Sequence, residues 1–174
     1  MKKSSFLILA LGVFTVFSCS ENAEPEEDPQ IEGEWMLQDA QVEGSGTVTV
    51  HGSSVPIPVG IEGEGEQYDL TLIFNENPAT VLATGSFVFK VAFNASGLPL
   101  GEQELPIQAD DIFSGTWAQV DDQLIFTDGD NIFELDIEEL TENRMRLSGT
   151  PNFDDIEVEN VTVTEASVDF SFIR

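Results

Sequence analysis

An all-β chain of about eight to ten short antiparallel strands, closed as a barrel or packed as a sandwich, is what this sequence predicts, and three observations carry that reading. From Ile31 onward apolar residues recur with a period of two rather than 3.6, the mark of strands with one buried face. Turn signals fall at hairpin spacing, at Asn75 to Pro78 and at the Asp128-Gly129 step. No stretch makes a convincing helix. Phe133, Ile137 and Leu140 also fit helical spacing near Glu134 to Arg144, but Phe133, Leu135 and Ile137 alternate cleanly and argue for a strand there.

The first residues are not part of that domain. Lys2 and Lys3 form a positive n-region, and Phe6 to Phe17 is an apolar run too short to span a bilayer as a helix, so a cleaved signal is expected over residues 1–18. Val16-Phe17-Ser18-Cys19 resembles the lipobox of bacterial lipoproteins. The resemblance implies a lipid on Cys19, which becomes the first mature residue, and a membrane as its partner. Cys19 is also the only cysteine, so an intramolecular disulfide is excluded and the core alone must hold the fold.

Residues 19–30 follow as a tether. Ser20 to Pro29 holds five acids and two prolines with almost nothing apolar, a composition that cannot pack and repels itself. This acidic cluster behind the cysteine resembles the signal with which Bacteroidetes-type bacteria send lipoproteins to the cell surface. It implies a bacterial outer-membrane protein, lipid-anchored and surface-exposed. Residues 31–174 remain, close to the size of one ordinary domain.

Within that domain, Val55 to Ile61 alternates apolar residues with Pro56, Pro58 and Gly60, and prolines that cannot donate to a ladder place the stretch at an edge or in an extended lid. From Glu66 to Phe74, Tyr68, Leu70, Leu72 and Phe74 share one face. A longer strand follows in which Val81, Ala83, Phe87, Phe89, Val91 and Phe93 point one way, with Gly85 mid-strand as a bulge or bend. Leu124 to Phe126 and Ile132 to Ile137 flank the Asp128-Gly129 turn, and Met145 and Leu147 point inward between Arg144 and Arg146. In the last segment the inward phase runs through Val161 and Val163, then through Ala166, Val168, Phe170 and Phe172. A bulge near Thr164 and Glu165 restores the register.

Gly33-Glu34-Trp35, on the first strand after the tether, resembles the Gly-x-Trp motif that opens lipocalins. Gly115-Thr116-Trp117, leading to Leu124-Ile125-Phe126-Thr127-Asp128-Gly129-Asp130, is similar to the later hairpin of bacterial lipocalin-like lipoproteins. The resemblance covers about residues 31 to 150 and implies an up-and-down β-barrel open at one end, a role in holding a small apolar molecule, and Gly33, Trp35, Gly115 and Trp117 as barrel-closing residues. The sequence departs from the family in lacking a Thr-Asp-x-Tyr motif and a C-terminal helix. Arg174, the last residue, is no secure equivalent of the arginine that covers the family's tryptophan.

Composition narrows the function. All 33 acidic residues lie after Cys19 against only Lys90, Arg144, Arg146 and Arg174, a net charge of −29 for the mature chain. Nucleic acid is thereby excluded as a partner, because a polyanion is repelled and no basic stripe exists to release counterions. With one histidine, His51, neither a zinc cluster nor a Ser-His-Asp relay can be assembled. The pairs Asp110-Asp111 and Asp154-Asp155 are what chance adjacency yields among so many acids. Asp128, Asp130 and Asn131 are explained by their hairpin without calcium. No catalytic residue, cofactor or metal is expected, and the chain reads as non-enzymatic.

Two functions stay open. In the first, Tyr68, Leu70, Leu72, Phe74, Phe87, Phe89 and Phe93 line a lumen that holds a small hydrophobic ligand, with a small open pocket. In the second, the ten mature phenylalanines fill the barrel and its outside serves as a structural or interaction module.

Overall fold

The computed structural model describes residues 30–49, 55–150 and 161–174. Among the described residues eleven strands form one antiparallel sheet: β1 (Gly33–Val48), β2 (Ile57–Glu66), β3 (Thr71–Glu76), β4 (Ala79–Thr84), β5 (Ser86–Ala95), β6 (Leu98–Gln108), β7 (Thr116–Val120), β8 (Gln123–Asp128), β9 (Asn131–Leu140), β10 (Arg144–Gly149) and β11 (Val161–Ile173). A single helical turn, α1 (Ala109–Ile112), stands between β6 and β7.

The sheet closes because β1 pairs along one side with β11 and along the other with both β3 and β2, Gly33 to Met36 taking β3 and Gln41 to Val48 taking β2. Thus β2 and β3 are two segments of one bent strand position, and β4 and β5 are two segments of the next. Counted that way the ring is an eight-stranded barrel, running from β1 through β2/β3, β4/β5, β7, β8, β9 and β10 to β11 and back. The strand β6 is additional, hydrogen-bonded to β5 at the end of the sheet.

Both bends have a local cause. At Gly85 the chain takes φ +82, and a Cβ there would lie 1.6 Å from the Asp69 carbonyl oxygen, so only glycine permits the two bends to touch. They are then stitched together: the Asp69 N–H donates to Ser86 O at 2.9 Å, and the Ala109 N–H donates to Gly85 O at 3.0 Å. The bend expected at Gly85 within Val81 to Phe93 is thus present, while the strand expected over Glu66 to Phe74 begins only at Thr71. The break at Gly85 leaves the phase intact, so Val81, Phe87, Phe89, Val91 and Phe93 bury one face, whereas at 67–70 the buried phase slips from Val59 and Ile61 to Leu70, Leu72 and Phe74.

The edge expected at Val55 to Ile61 is met over the first residues of β2. The strand β2 runs between β1 and β5, but its pairing with β5 begins only at Gly60, so Pro58 sits where β2 has a neighbour on one side alone. The strand that pairs on one side throughout, among the described residues, is β6, and it carries Pro99 and Pro106.

Other local expectations meet the structure closely. Asp128 pairs with Asn131 around Gly129, at φ +60, and β9 is a strand through Phe133, Leu135 and Ile137. In the β1–β11 ladder Ser45 faces Glu165 while Gly46 faces Val163, so the register skips Thr164, where the phase change in the sequence placed a bulge. Eleven strands rather than eight to ten, and the short α1, are the additions.

Candidate functional site

The interior is built almost entirely from inward strand positions. Among the described residues every buried one that is not glycine is apolar, and none that is polar or charged is buried. At one end lies Trp35, fully buried on β1, whose indole Nε1–H donates to Ile31 O at 2.7 Å. The Arg174 guanidinium stacks over the Trp35 ring, 4.3 Å from its centroid. The same guanidinium donates to the carbonyls of Gln30 (2.8 Å), Glu32 and Glu142 (3.3 Å). The expectation that no arginine covers the tryptophan is therefore corrected: β11 pairs with β1 and delivers the last residue of the chain onto the first strand. Gly33 opens β1 beneath that guanidinium, where a Cβ would come 3.3 Å from Nη2.

Gly115 and Trp117 sit at the weakest closure of the ring. Between β4 and β7 one ladder pair, Thr80 with Thr116, is supplemented by the Val81 N–H donating to Gly115 O at 3.1 Å. Trp117 is half-buried, donates from Nε1 to Asn75 O at 2.9 Å, and meets Phe74 edge-on at 5.5 Å between centroids.

Of the residues assigned to the lumen, Leu70, Leu72, Phe74, Phe87, Phe89 and Phe93 are buried, and Tyr68 is half-buried at the bend after β2. Tyr68 clamps two strands with its hydroxyl, which donates to Gly65 O at 2.7 Å and accepts from the Ala40 N–H at 3.1 Å. Its pKa is raised, chiefly by burial, opposed by the Ala40 N–H and reinforced by Asp39, Glu64 and Glu66.

The rings form a connected network. Phe87 meets Phe89 at 4.8 Å and Phe170 at 6.3 Å, and Phe74 meets Phe126 at 6.0 Å. The centre of the network is Phe113, immediately after α1, which packs edge-on against Phe126, Phe170, Phe133 and Phe172 at 5.3, 5.4, 5.9 and 6.1 Å. Sequence reasoning overlooked Phe113 because it lies on no alternating strand. Its one signal was a large apolar residue inside an otherwise polar connection, Asp110-Asp111-Ile112-Phe113-Ser114.

Beyond the rings, toward the far ends of β1, β2, β5 and β11, the inner face stays apolar but loosens. Val59, Ile61 and Phe93 are buried, and Val48, Ala95, Leu105, Val161 and Val163 are half-buried. Ile57 is 37% exposed, and Leu98, across from Ala95, is 69% exposed. The outer surface differs in kind. Glu43 and Glu62 face each other across β1 and β2, while Lys90 pairs with Glu102 at 3.2 Å, which raises the lysine's pKa. Among the described residues no three His, Cys, Asp or Glu side chains converge as metal ligands. His51, Cys19 and Asp154-Asp155 lie outside the described residues.

Comparison with curated proteins and with solved structures finds no significant match. A family model for the lipocalin-like domain matches residues 31–147, from the residue that accepts the Trp35 indole hydrogen bond to the inward Leu147 of β10. With a closed eight-stranded ring and that match over most of its length, the chain belongs to the lipocalin-like domain family.

Proposed function

We propose that this lipocalin-like domain is a non-enzymatic binding protein that takes a small, neutral, apolar molecule into its barrel and works tethered to a bacterial envelope. Proteins of this family are generally binders rather than catalysts. The observation that carries the ligand reading is the apolar inner face of β5, which runs from the buried Phe87 and Phe89 through Val91 and Phe93 to Ala95, with the half-buried Gln103 opposite Val91 as its polar neighbour on β6. Charge selects within apolar ligands. A mature chain at −29 opposes anionic ones, and the interior offers no buried base to a carboxylate.

The test is a fluorescence titration of the whole mature chain carrying Cys19→Ala, which removes only the anchor, with neutral N-phenyl-1-naphthylamine and with an anionic fatty acid. Saturable binding of the neutral probe, weakened by Leu105→Trp at the half-buried inner edge, is the expected result. Absence of saturable binding favours instead a filled barrel that acts through its outside, the reading supported by the continuous ring network around Phe113.

The envelope half of the proposal rests on Val16 to Cys19 and the acidic tether behind it. Mass spectrometry of the mature protein should find diacylated or triacylated Cys19, and Cys19→Ala should release the protein from membranes. An unmodified wild-type Cys19 would sink the anchor and leave the ligand reading untouched.

A further inference from the structure

We propose that the space filled by the Phe113 ring is itself a ligand subsite, and that a neutral aromatic group enters the barrel by displacing Phe113 as residues 109–115 swing outward. This deepens the apolar-ligand reading above and rests on it.

The case is one of unequal attachment. Four of the rings around Phe113 are carried by strands with a neighbour on each side: Phe126 on β8, Phe133 on β9, and Phe170 and Phe172 on β11. None of these can leave the lumen without breaking two ladders. Phe113 is as deeply buried as Phe126, Phe170 and Phe172, and more so than Phe133, yet it hangs from a segment outside every ladder. The helix α1 has only four residues and no side-chain cap at its start. Backbone hydrogen bonds hold it at Ala109 N–H to Gly85 O, at Phe113 N–H to Ala109 O and, at its far end, at Val81 N–H to Gly115 O, on which the segment pivots, with Ser114 Oγ–H donating to Asp128 Oδ2 at 2.8 Å on the surface. A buried ring on so lightly bonded a segment belongs to the part of a structure that opens first.

The neighbouring closure allows such a movement. Segment 109–115 lies between the additional strand β6 and the β4–β7 seam, which is the thinnest in the ring. Asp110 and Asp111 are exposed on its outer side and would lose no partner on opening. What is left behind is a cage of four aromatic faces and edges spaced 5.3 to 6.1 Å around the vacated ring centre, in a core that buries no polar side chain among the described residues. Such a cage accepts a second aromatic ring in the same edge-on geometry and rejects a charged or strongly hydrated group. The subsite therefore takes a neutral, phenyl-sized aromatic moiety, and Phe113 acts as the resident ligand with which it competes.

Amide hydrogen exchange of the whole mature chain (Cys19→Ala), free and saturated with N-phenyl-1-naphthylamine, tests the displacement directly. Residues 109–115 should lose protection on binding while β8 and β11 keep or gain it. In parallel, Phe113→Ala should bind the probe about tenfold or more tightly than wild type, because a site no longer occupied by its own side chain is not penalised by the rarity of the open state. Phe113→Leu, which keeps the fold filled, should fall between them. If wild type binds saturably while residues 109–115 keep or gain protection, Phe113 is permanent core and the subsite is elsewhere, with the binding function intact. If neither wild type nor a cooperatively folded Phe113→Ala binds, both the subsite and the apolar-ligand reading fall. Should Phe113→Ala not fold, the wild-type exchange result decides alone.

Discussion

Trp35 and Arg174 hold each other in place although they stand at opposite ends of the domain. The indole is fully buried and satisfied by Ile31 O, so Trp35→Ala removes a large packed side chain and should cost about 3–5 kcal/mol. Arg174→Ala leaves the tryptophan buried but loses a ring contact and the hydrogen bonds to three carbonyls at an exposed site, for about 1 kcal/mol. Denaturant midpoints of the two variants check the order, and equal losses would mean that the guanidinium is as central as the ring. Tyr68 makes a prediction about pH. Its folded pKa lies above 10.0, so its contribution is fully present below pH 10 and is lost as pH rises through the folded value, when a phenolate would have to form beside Asp39, Glu64 and Glu66. Tyr68→Phe should lose about 1 kcal/mol at neutral pH and should flatten this alkaline decline. An unchanged alkaline profile in the variant would assign the decline to another group.

Among the elements, the paired bends at 67–70 and Gly85 decide the shape of the barrel, since they let β1 pair with β3 at one end and β2 at the other. Gly85→Ala forces a Cβ against Asp69 O and an unfavourable φ together, and should destabilise by at least about 2 kcal/mol. Melting temperature reads this out, and a neutral Gly85→Ala would show that the two bends do not touch in solution. The alternation of Leu70, Leu72 and Phe74, and of Phe87, Phe89, Val91 and Phe93, made the buried faces legible before any coordinates. The bend at Gly85 was announced by the glycine itself, whereas the break at 67–70 was missed although the buried phase slips there, from Val59 and Ile61 to Leu70, Leu72 and Phe74. The phase slip at Thr164 likewise wrote its bulge into the sequence.

For the whole molecule, acids dominate the outer faces while the interior is free of charge, so stability is a contest between an apolar core and self-repulsion at −29. Raising ionic strength shortens the Debye length from about 30 Å at 0.01 M to about 3 Å at 1 M, which weakens repulsion without touching the core. The melting temperature of the mature chain should accordingly rise with sodium chloride across that range. A flat or falling response would show that the acidic faces are already neutralised by bound cations.

Local chemistry was enough to announce an antiparallel barrel with Trp35 on its first strand, because strand periodicity, turn residues and the Gly-x-Trp start are all encoded within a few residues of one another. The fate of the lumen was not. The sequence left an open pocket and a filled barrel as alternatives, and the inward phenylalanines suited both, since alternation says which way a ring points and nothing about what meets it across the interior. Only closure of β11 on β1 brought Arg174 over Trp35, and only the return of the chain after β6 set Phe113 among rings from β8, β9 and β11. These contacts join residues far apart in the chain, and such pairings depend on how the whole ring closes rather than on any one segment's pattern.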